Sequence, residues 1–256
     1  EKLRTKIYSL EYSLSPEHKF PFALEEAMTA LDWLIGKGVA IENISLCGDS
    51  AGAHLAASVT HYLADNKKPS VHSQFLIYPM CDPKCNSQSI ELFQSGYLLT
   101  KEAMIWFWEK FRKTSQDDAN KAFNLMLYTD DMELPKTIIV TAGFDPLSDE
   151  AEEYAFKLHE NDNYVKQLHY PSLFHGFASM TRLKAAKKAV DEENFDLALN
   201  LFLEMYQLVQ SETMSKTTKN ILQEQYAENI VRIYMEKNDF DGGATFIKAV
   251  SYTHLR

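Results

Sequence analysis

The stretch ENISLCGDSAGAHLAASV, residues 42–59, decides the fold. It contains a short apolar run, Ile44–Cys47, and leads into small and apolar residues at helical spacing, 51–64. A Gly-Asp-Ser-Ala-Gly sequence joins the two. This order predicts a strand, a tight turn and a helix. Ser50, at the centre of the turn, is either a reactive group or a small residue that fits a close strand-to-helix connection.

Apolar segments alternate with helical segments along the rest of the chain. Several of these segments are apolar throughout, which is typical of strands that are buried on both faces. The sequence therefore predicts an α/β fold with a mainly parallel sheet, helices on both faces and a ligand site at the carboxyl ends of the strands. Strands are expected at 6–12, 44–47, 74–78, 137–141 and 165–170, and helices at 51–64, 148–160 and from Pro21 onward.

The composition limits the classes of function. A net charge of -10 argues against a surface that follows nucleic-acid phosphates, so no nucleic-acid partner is expected. No apolar run approaches the roughly 18 residues of a membrane span. The chain has only three cysteines, a small and odd number that does not indicate a disulfide framework. The absence of such a framework fits a cytoplasmic location. Cys81 and Cys85 would make half a metal site that no other ligands complete, so neither a metal nor a cofactor is expected.

From about residue 184 the sequence has no further strand signals, and polar residues interleave with apolar ones at helical spacing. We predict a catalytic domain at 1–190 and a helical C-terminal extension at 191–256, which could contact a protein partner. Segments 194–199 and 239–244 resemble each other and faintly resemble part of a tetratricopeptide-type repeat, although their spacing of 45 residues exceeds the usual period of about 34 residues. Plain amphipathic helices are the alternative. The last residues, 250–256, resemble a translated sequencing-adapter tail, so we expect them to be artefactual.

The pattern Gly48-x-Ser50-x-Gly52, between a predicted strand and a predicted helix, is typical of a nucleophile elbow. Such a turn exposes the serine hydroxyl above the sheet, and small residues on either side let the strand and helix approach each other. The following helix also directs its N-terminal N–H groups and positive dipole end at a developing oxyanion. We therefore interpret Ser50 as a reactive serine.

A serine nucleophile needs a base and an acid that orients the base, and in this type of fold the acid precedes the base in the chain. His175 lies in the loop after the last predicted strand and fits the base better than the other histidines, which lie on helices, within a strand or outside the relevant strand ends. Asp145 follows the strand at 137–141 and is the predicted acid. Asp149 is the alternative acid. Its non-catalytic role would be that of an acidic residue in the first turn of the next helix, which the helix dipole favours. Asp49 is expected to hold a neighbouring loop.

Four segments together resemble the hormone-sensitive-lipase group of α/β-hydrolases, which includes esterases and arylacetamide-deacetylase-like enzymes. They are the segment from Tyr12 to Pro21, Gly-Asp-Ser-Ala-Gly at 48–52, Asp-Pro-Leu-Ser-Asp at 145–149 and His-Gly-Phe at 175–177. The resemblance implies an eight-stranded sheet, a helical cap and hydrolysis of small carboxylic esters. It also implies Ser50 as nucleophile, Asp145 as acid, His175 as base and the Ala51 N–H as an oxyanion donor.

Two features depart from the family's pattern. Ala53 stands where the family usually has a second glycine after Gly52, and one methyl group should be tolerated there. The family's His-Gly-Gly-Gly loop, which supplies further oxyanion donors upstream of Tyr12, does not occur in these 256 residues. We therefore expect a chain that is truncated at its N-terminus and has little or no activity by itself, since one lost oxyanion donor costs about 10²–10³ in turnover.

Other functions remain open on this scaffold. A silent ligand-binding protein, as in plant hormone receptors of this family, would have lost the base, and an adaptor would act through the C-terminal extension. An amidase or deacetylase would use the same three residues as an esterase. The aromatic segment around Trp106 and Phe107 could line an acyl pocket, although core packing is the commoner role of such residues.

Overall fold

The computed structural model describes residues 5–129, 131–178 and 230. Among these, four strands form one sheet in chain order: β1 (Ser45–Asp49), β2 (Ser73–Ile77), β3 (Lys136–Phe144) and β4 (Val165–Phe174). All three neighbouring pairs are parallel. The carboxyl ends of the four strands therefore lie along one edge of the sheet, as expected for the predicted α/β class.

The α-helices of the described chain follow the apolar periodicity of the sequence, and all but the first lie between strands. They are α1 (Phe22–Gly36), α2 (Ala51–Asp65), α3 (Gln88–Leu92), α4 (Lys101–Phe111) and α5 (Ser148–Glu160). The predicted helices at 51–64 and 148–160 are confirmed. Pro21, predicted just inside the first helix, instead lies at its N-cap, next to the position where a missing N–H costs nothing.

One face of the sheet packs against α2 and α5. Leu76 of β2 and Ile139 of β3 are fully buried in a cluster with small side chains of α2, such as Ala53 and Ala57. Tyr154 and other apolar residues of α5 complete the cluster. Small residues on α2 let this helix lie close to the sheet, which fixes the direction in which its N-terminus points.

The opposite face of the sheet holds a second cluster beside the carboxyl edge. Tyr78, Val140 and Ala142 are buried there with Phe177, which follows β4. Phe75 and Ile77 pack against this cluster from β2. Because side chains alternate along a strand, adjacent residues of β2 and β3 serve the two faces in turn. This cluster anchors the loop that follows β4.

The prediction of a strand at 6–12 was wrong. This segment is irregular, and its apolar side chains Ile7 and Leu10 are exposed. The segment is instead fastened to α1, because Glu26 accepts hydrogen bonds from the Ser13 N–H (2.7 Å) and the Ser13 hydroxyl (2.9 Å). Alternating polarity predicts a strand only where a partner strand is available to complete the backbone hydrogen bonds.

The aromatic segment divides between two faces of α4. Met104 and Trp108, one helical turn apart, are almost fully buried in the core, whereas Trp106 and Phe107 remain about half exposed. Trp106 packs against Phe107 with ring centroids 5.3 Å apart. Core packing therefore belongs to Trp108 and not to the two residues that the sequence singled out.

In the part of the chain that the structure describes, no helix is long and apolar enough to cross a membrane. The predicted helical extension at 191–256 lies outside the described residues, apart from the buried Ile230. The four described strands are half of the eight that the resemblance implies. They include the three strands after which the candidate site residues occur.

Candidate active site

Ser50 occupies a strained turn between β1 and α2. Its backbone has φ 51° and ψ -116°, a conformation that residues other than glycine rarely adopt. Two backbone hydrogen bonds hold it there: the Ser50 N–H donates to Ile77 O (2.9 Å), and the His54 N–H donates to Ser50 O (3.0 Å). The chain thus enters the helix through the serine, as the elbow pattern predicts.

The two glycines of the elbow differ in how strictly they are needed. A Cβ at Gly48 would lie 2.2 Å from the Gly52 carbonyl oxygen, so only glycine fits. A Cβ at Gly52 would meet nothing within 4 Å among the described residues. The expectation that both positions need small residues for the strand and helix to approach therefore holds for Gly48 alone. Ala53 is fully buried, and its methyl group is accommodated in the core.

Asp145 follows β3 and is completely buried. One carboxylate oxygen, Oδ1, accepts the Leu147 N–H (2.9 Å), which orients the side chain. The other, Oδ2, lies 2.9 Å from Nδ1 of His175. Because the ionised carboxylate only accepts hydrogen bonds, this contact places the imidazole proton on Nδ1.

His175 follows β4 and is almost fully buried. With a proton on Nδ1, its Nε2 is an acceptor, and it lies 2.9 Å from the Ser50 hydroxyl oxygen. The structure thus brings Ser50, His175 and Asp145 into one hydrogen-bonded chain across the carboxyl edge of the sheet. Such a chain can remove a proton from a serine hydroxyl and hold the resulting imidazolium beside a carboxylate.

Asp149, the alternative acid, has a different role in the structure. Its Oδ2 accepts the Ser89 N–H at 2.7 Å, and its own N–H donates to the Ser89 hydroxyl at 3.2 Å. These reciprocal bonds tie the start of α5 to the first turn of α3. The carboxylate that meets His175 is that of Asp145.

Sequence reasoning missed the glycine that lets β3 and β4 converge. A Cβ at Gly143 would lie 2.1 Å from the Pro171 carbonyl oxygen, and the strand register shifts between Ala142 and Phe144. This close approach brings the residues after the two strands together. A glycine two residues before a predicted acid is a signal that could have been noticed, because bulges and close backbone contacts favour glycine.

Tyr78 is a neighbour of His175 that the sequence did not indicate. Its ring lies 4.5 Å from the His175 imidazole, measured between centroids, and is almost fully buried. The residue has φ 38°, and its N–H donates to Val140 O at 2.7 Å. Tyr78 thus forms a wall of the pocket in which the imidazole sits.

Asp49 lies near Tyr12 of the segment that precedes α1, whereas its expected role in holding a neighbouring loop stays a prediction. Burial, followed by the negative charge of Asp49, raises the pKa of the Tyr12 hydroxyl. This places the segment that precedes α1 close to the elbow. The candidate oxyanion donor Ala51 is the first residue of α2, where backbone N–H groups have no partner within the helix.

The remaining histidines near the site form other contacts. His54 is buried with Nδ1 3.0 Å from Met80 O, and burial lowers its pKa to about 4. His61 has Nε2 2.8 Å from the Tyr154 hydroxyl, and burial lowers its pKa to about 3. His169 pairs with Thr141 and Glu152 at the surface. His254 lies outside the described residues.

Cys81 and Cys85 are buried free thiols, and burial raises the pKa of both. Protonated thiols are poor metal ligands and poor nucleophiles. Within the described ranges there is no group of three or more His, Cys, Asp or Glu side chains that could hold a metal ion.

Comparisons with known proteins agree with the α/β fold. A family model described as alpha/beta hydrolase fold matches residues 1–179. The carboxylic ester hydrolase LipN of Mycobacterium tuberculosis is 33% identical over 198 residues, which cover 73% of this chain and 53% of that protein. The chain thus spans about half the length of the curated relatives it matches.

Two solved structures are similar in both fold and sequence. An α/β hydrolase enzyme from the metagenome of Lake Arreo is 36% identical with a TM-score of 0.63, covering 71% of this chain and 59% of its own. A hyperthermophilic esterase from the archaeon Pyrobaculum calidifontis is 30% identical with a TM-score of 0.63, covering 73% of this chain and 64% of its own.

Proposed function

The chain belongs to the α/β hydrolase fold family, as its four sequence segments predicted, and from this we propose that the protein hydrolyses small carboxylic esters through an acyl-enzyme on Ser50. The observation that supports the proposal is the chain of two 2.9 Å contacts from Ser50 through His175 to Asp145. Relatives named carboxylic ester hydrolase and esterase favour the same reaction class.

In the first half of the proposed reaction, the Ser50 oxygen attacks the ester carbonyl carbon. His175 accepts the hydroxyl proton on Nε2, and the buried Asp145 carboxylate stabilises the imidazolium that forms. The tetrahedral intermediate then collapses, the C–O bond to the alcohol breaks, and His175 returns the proton to the leaving alcohol. The acyl group remains as an ester of Ser50.

In the second half, a water molecule attacks the acyl-enzyme. His175 takes a proton from the water and then returns it to Ser50, so that the carboxylic acid leaves and the enzyme is regenerated. The oxyanion of each intermediate needs backbone donors, and the Ala51 N–H at the start of α2 is one of them. The chemistry needs no cofactor.

The contact between His175 and Ser50 favours catalysis over a silent ligand-binding protein, because a receptor that has lost the base could not form it. The names of the relatives favour esters over amides as substrates. A role of residues 191–256 in binding a protein partner and a cytoplasmic location remain predictions from the sequence.

The proposal is tested with p-nitrophenyl esters of increasing acyl length. We expect slow release of p-nitrophenol by the wild-type chain and loss of that release in Ser50→Ala. Ser70→Ala is the matched control, because Ser70 is an exposed loop residue. Equal rates in the wild type and Ser50→Ala would contradict the proposal.

A further inference from the structure

Glu150 is a buried carboxyl group that the proposed reaction does not use. It lies in the first turn of α5 and is 3% exposed. Its Oε1 accepts two backbone hydrogen bonds, from the Cys81 N–H at 2.7 Å and the Asp82 N–H at 3.3 Å. Both donors belong to the loop that follows β2. A single side-chain oxygen thus fastens this loop to α5.

The same loop reaches the candidate base. We call residues 78–82 the Tyr78 segment, since it begins with the tyrosine whose ring lies 4.5 Å from the His175 imidazole. The Tyr78 N–H is bonded to β3 through Val140 O, and Met80 O lies 3.0 Å from Nδ1 of His54 on α2. Helices α2 and α5 therefore hold the Tyr78 segment through two buried side chains, His54 and Glu150.

The surroundings of Glu150 favour a neutral side chain. Burial raises its pKa to about 8, an effect that the two backbone N–H groups reduce. The titratable groups that act on it or respond to it are Cys81, Asp82, Cys85 and Asp145, which are neutral or negatively charged. Burial therefore favours the protonated carboxyl group, whose shape and charge glutamine reproduces.

We propose that Glu150 is a positioning residue for His175. By holding the Cys81 and Asp82 N–H groups, it keeps the Tyr78 ring against the imidazole and so keeps Nε2 directed at Ser50. Its importance for activity rests on the proposed function, whereas its effect on the imidazole does not. A displacement of the base by about 1 Å can cost about 100-fold in rate.

The test compares Glu150→Gln, Glu150→Asp and Glu150→Ala with the wild type. Nuclear magnetic resonance of the chain with labelled histidine reports the His175 ring protons, which the adjacent Tyr78 ring shifts, and His175→Asn assigns them. We expect Glu150→Gln to keep the wild-type His175 signals, Glu150→Asp to move them partly because its carboxyl group is one methylene shorter, and Glu150→Ala to move them most.

Glu153→Ala is the matched control, because Glu153 lies on the same helix with a largely exposed side chain. It should leave the His175 signals unchanged. If Glu150→Ala does not fold, the other two variants decide: His175 signals that stay in Glu150→Gln and move in Glu150→Asp support positioning, whereas signals that stay at their wild-type positions in Glu150→Asp contradict it. Unchanged His175 signals in a folded Glu150→Ala would also overturn the inference.

The activity of each variant is measured in parallel as the rate of labelling by a fluorophosphonate. We expect Glu150→Ala to label about 10-fold to 100-fold more slowly than the wild type, and Glu150→Gln to label at nearly the wild-type rate. Moved His175 signals with no labelling of the wild type would count against the proposed function but leave the positioning role intact. If the wild type is labelled but the His175 signals move in none of the variants, the proposed function is supported and the positioning role is contradicted.

Discussion

Buried histidines occur in two regions of this molecule, at the carboxyl edge of the sheet and on the inner side of α2. His175 at the edge lies between the Asp145 carboxylate and the Ser50 hydroxyl. His54 and His61 on α2 are buried as deeply, but each contacts an uncharged oxygen, the Met80 carbonyl and the Tyr154 hydroxyl respectively. Burial is the main cause that lowers the pKa of those two. The partners of an imidazole, and not its burial, therefore distinguish a candidate base from a packed side chain.

The largest effect is expected from breaking the contact that distinguishes His175. Asp145→Asn should lower the fluorophosphonate labelling rate by about 10⁴-fold, the size of the loss that the same change causes in a serine protease triad. The physical reason is that the amide favours the wrong imidazole tautomer, which leaves a proton on Nε2 where the base needs a lone pair. The measurement is the fraction of labelled protein as a function of time at pH 7, from which the labelling rate is obtained.

Asp149→Asn is the control for Asp145→Asn. An amide oxygen can still accept the Ser89 N–H, so labelling should change little. A large loss in Asp149→Asn together with a small loss in Asp145→Asn would reverse the assignment of the acid.

A smaller effect is expected from the turn that presents Ser50. Gly48→Ala should lower the free energy of unfolding by about 3 kcal/mol, because its methyl group would overlap the Gly52 carbonyl. Gly52→Ala should lie within about 0.5 kcal/mol of the wild type, since its methyl group would meet open space. Urea unfolding monitored by circular dichroism measures both, and equal effects would show that the elbow is not packed as described.

The smallest effect concerns the pH dependence of stability. Below pH 6.5 the unfolded chain protonates His54 and His61, whereas the folded chain resists until about pH 4 and about pH 3, so acidification through this window destabilises the fold. Glu150 acts oppositely between pH 4.5 and about 8, because its folded form keeps a proton that the unfolded form has lost. Its contribution is therefore largest at low pH and declines as the pH rises.

Glu150→Gln should remove that opposing contribution. Between pH 6.5 and 4.5 the variant should lose about 1.4 kcal/mol of unfolding free energy per pH unit more than the wild type. Urea unfolding at a series of pH values measures the difference. Parallel curves for the two proteins would show that Glu150 is ionised at neutral pH in the folded chain.

The difference between the two groups of buried histidines also explains why part of the site could be predicted from the sequence and part could not. The positions of Ser50, Asp145 and His175 followed from short motifs at strand ends, because parallel strands bring their carboxyl ends to one edge. The polar residues on the inner side of α2 gave no local signal. The partner of His61 is Tyr154, 93 residues away, and only the fold brings the two together.

Errors at the level of secondary structure have a similar origin. Residues 6–12 alternate like a strand, but Ser13 is bound by Glu26 of α1 and the segment stays irregular. Trp108 and its neighbour Trp106 have the same side chain, and only the packing of α4 determines that the first is buried and the second exposed. Local patterns predict periodicity, whereas long-range contacts decide which side of an element is covered.

The central claim is that Ser50 is activated by His175. The most direct measurement is reaction of the folded chain with a fluorophosphonate, followed by peptide mapping of the adduct by mass spectrometry. We predict one adduct, on Ser50, that is absent from His175→Ala and present at the wild-type level in His169→Ala, whose imidazole lies at the surface. No adduct on Ser50, or an adduct that persists in His175→Ala, would contradict the claim.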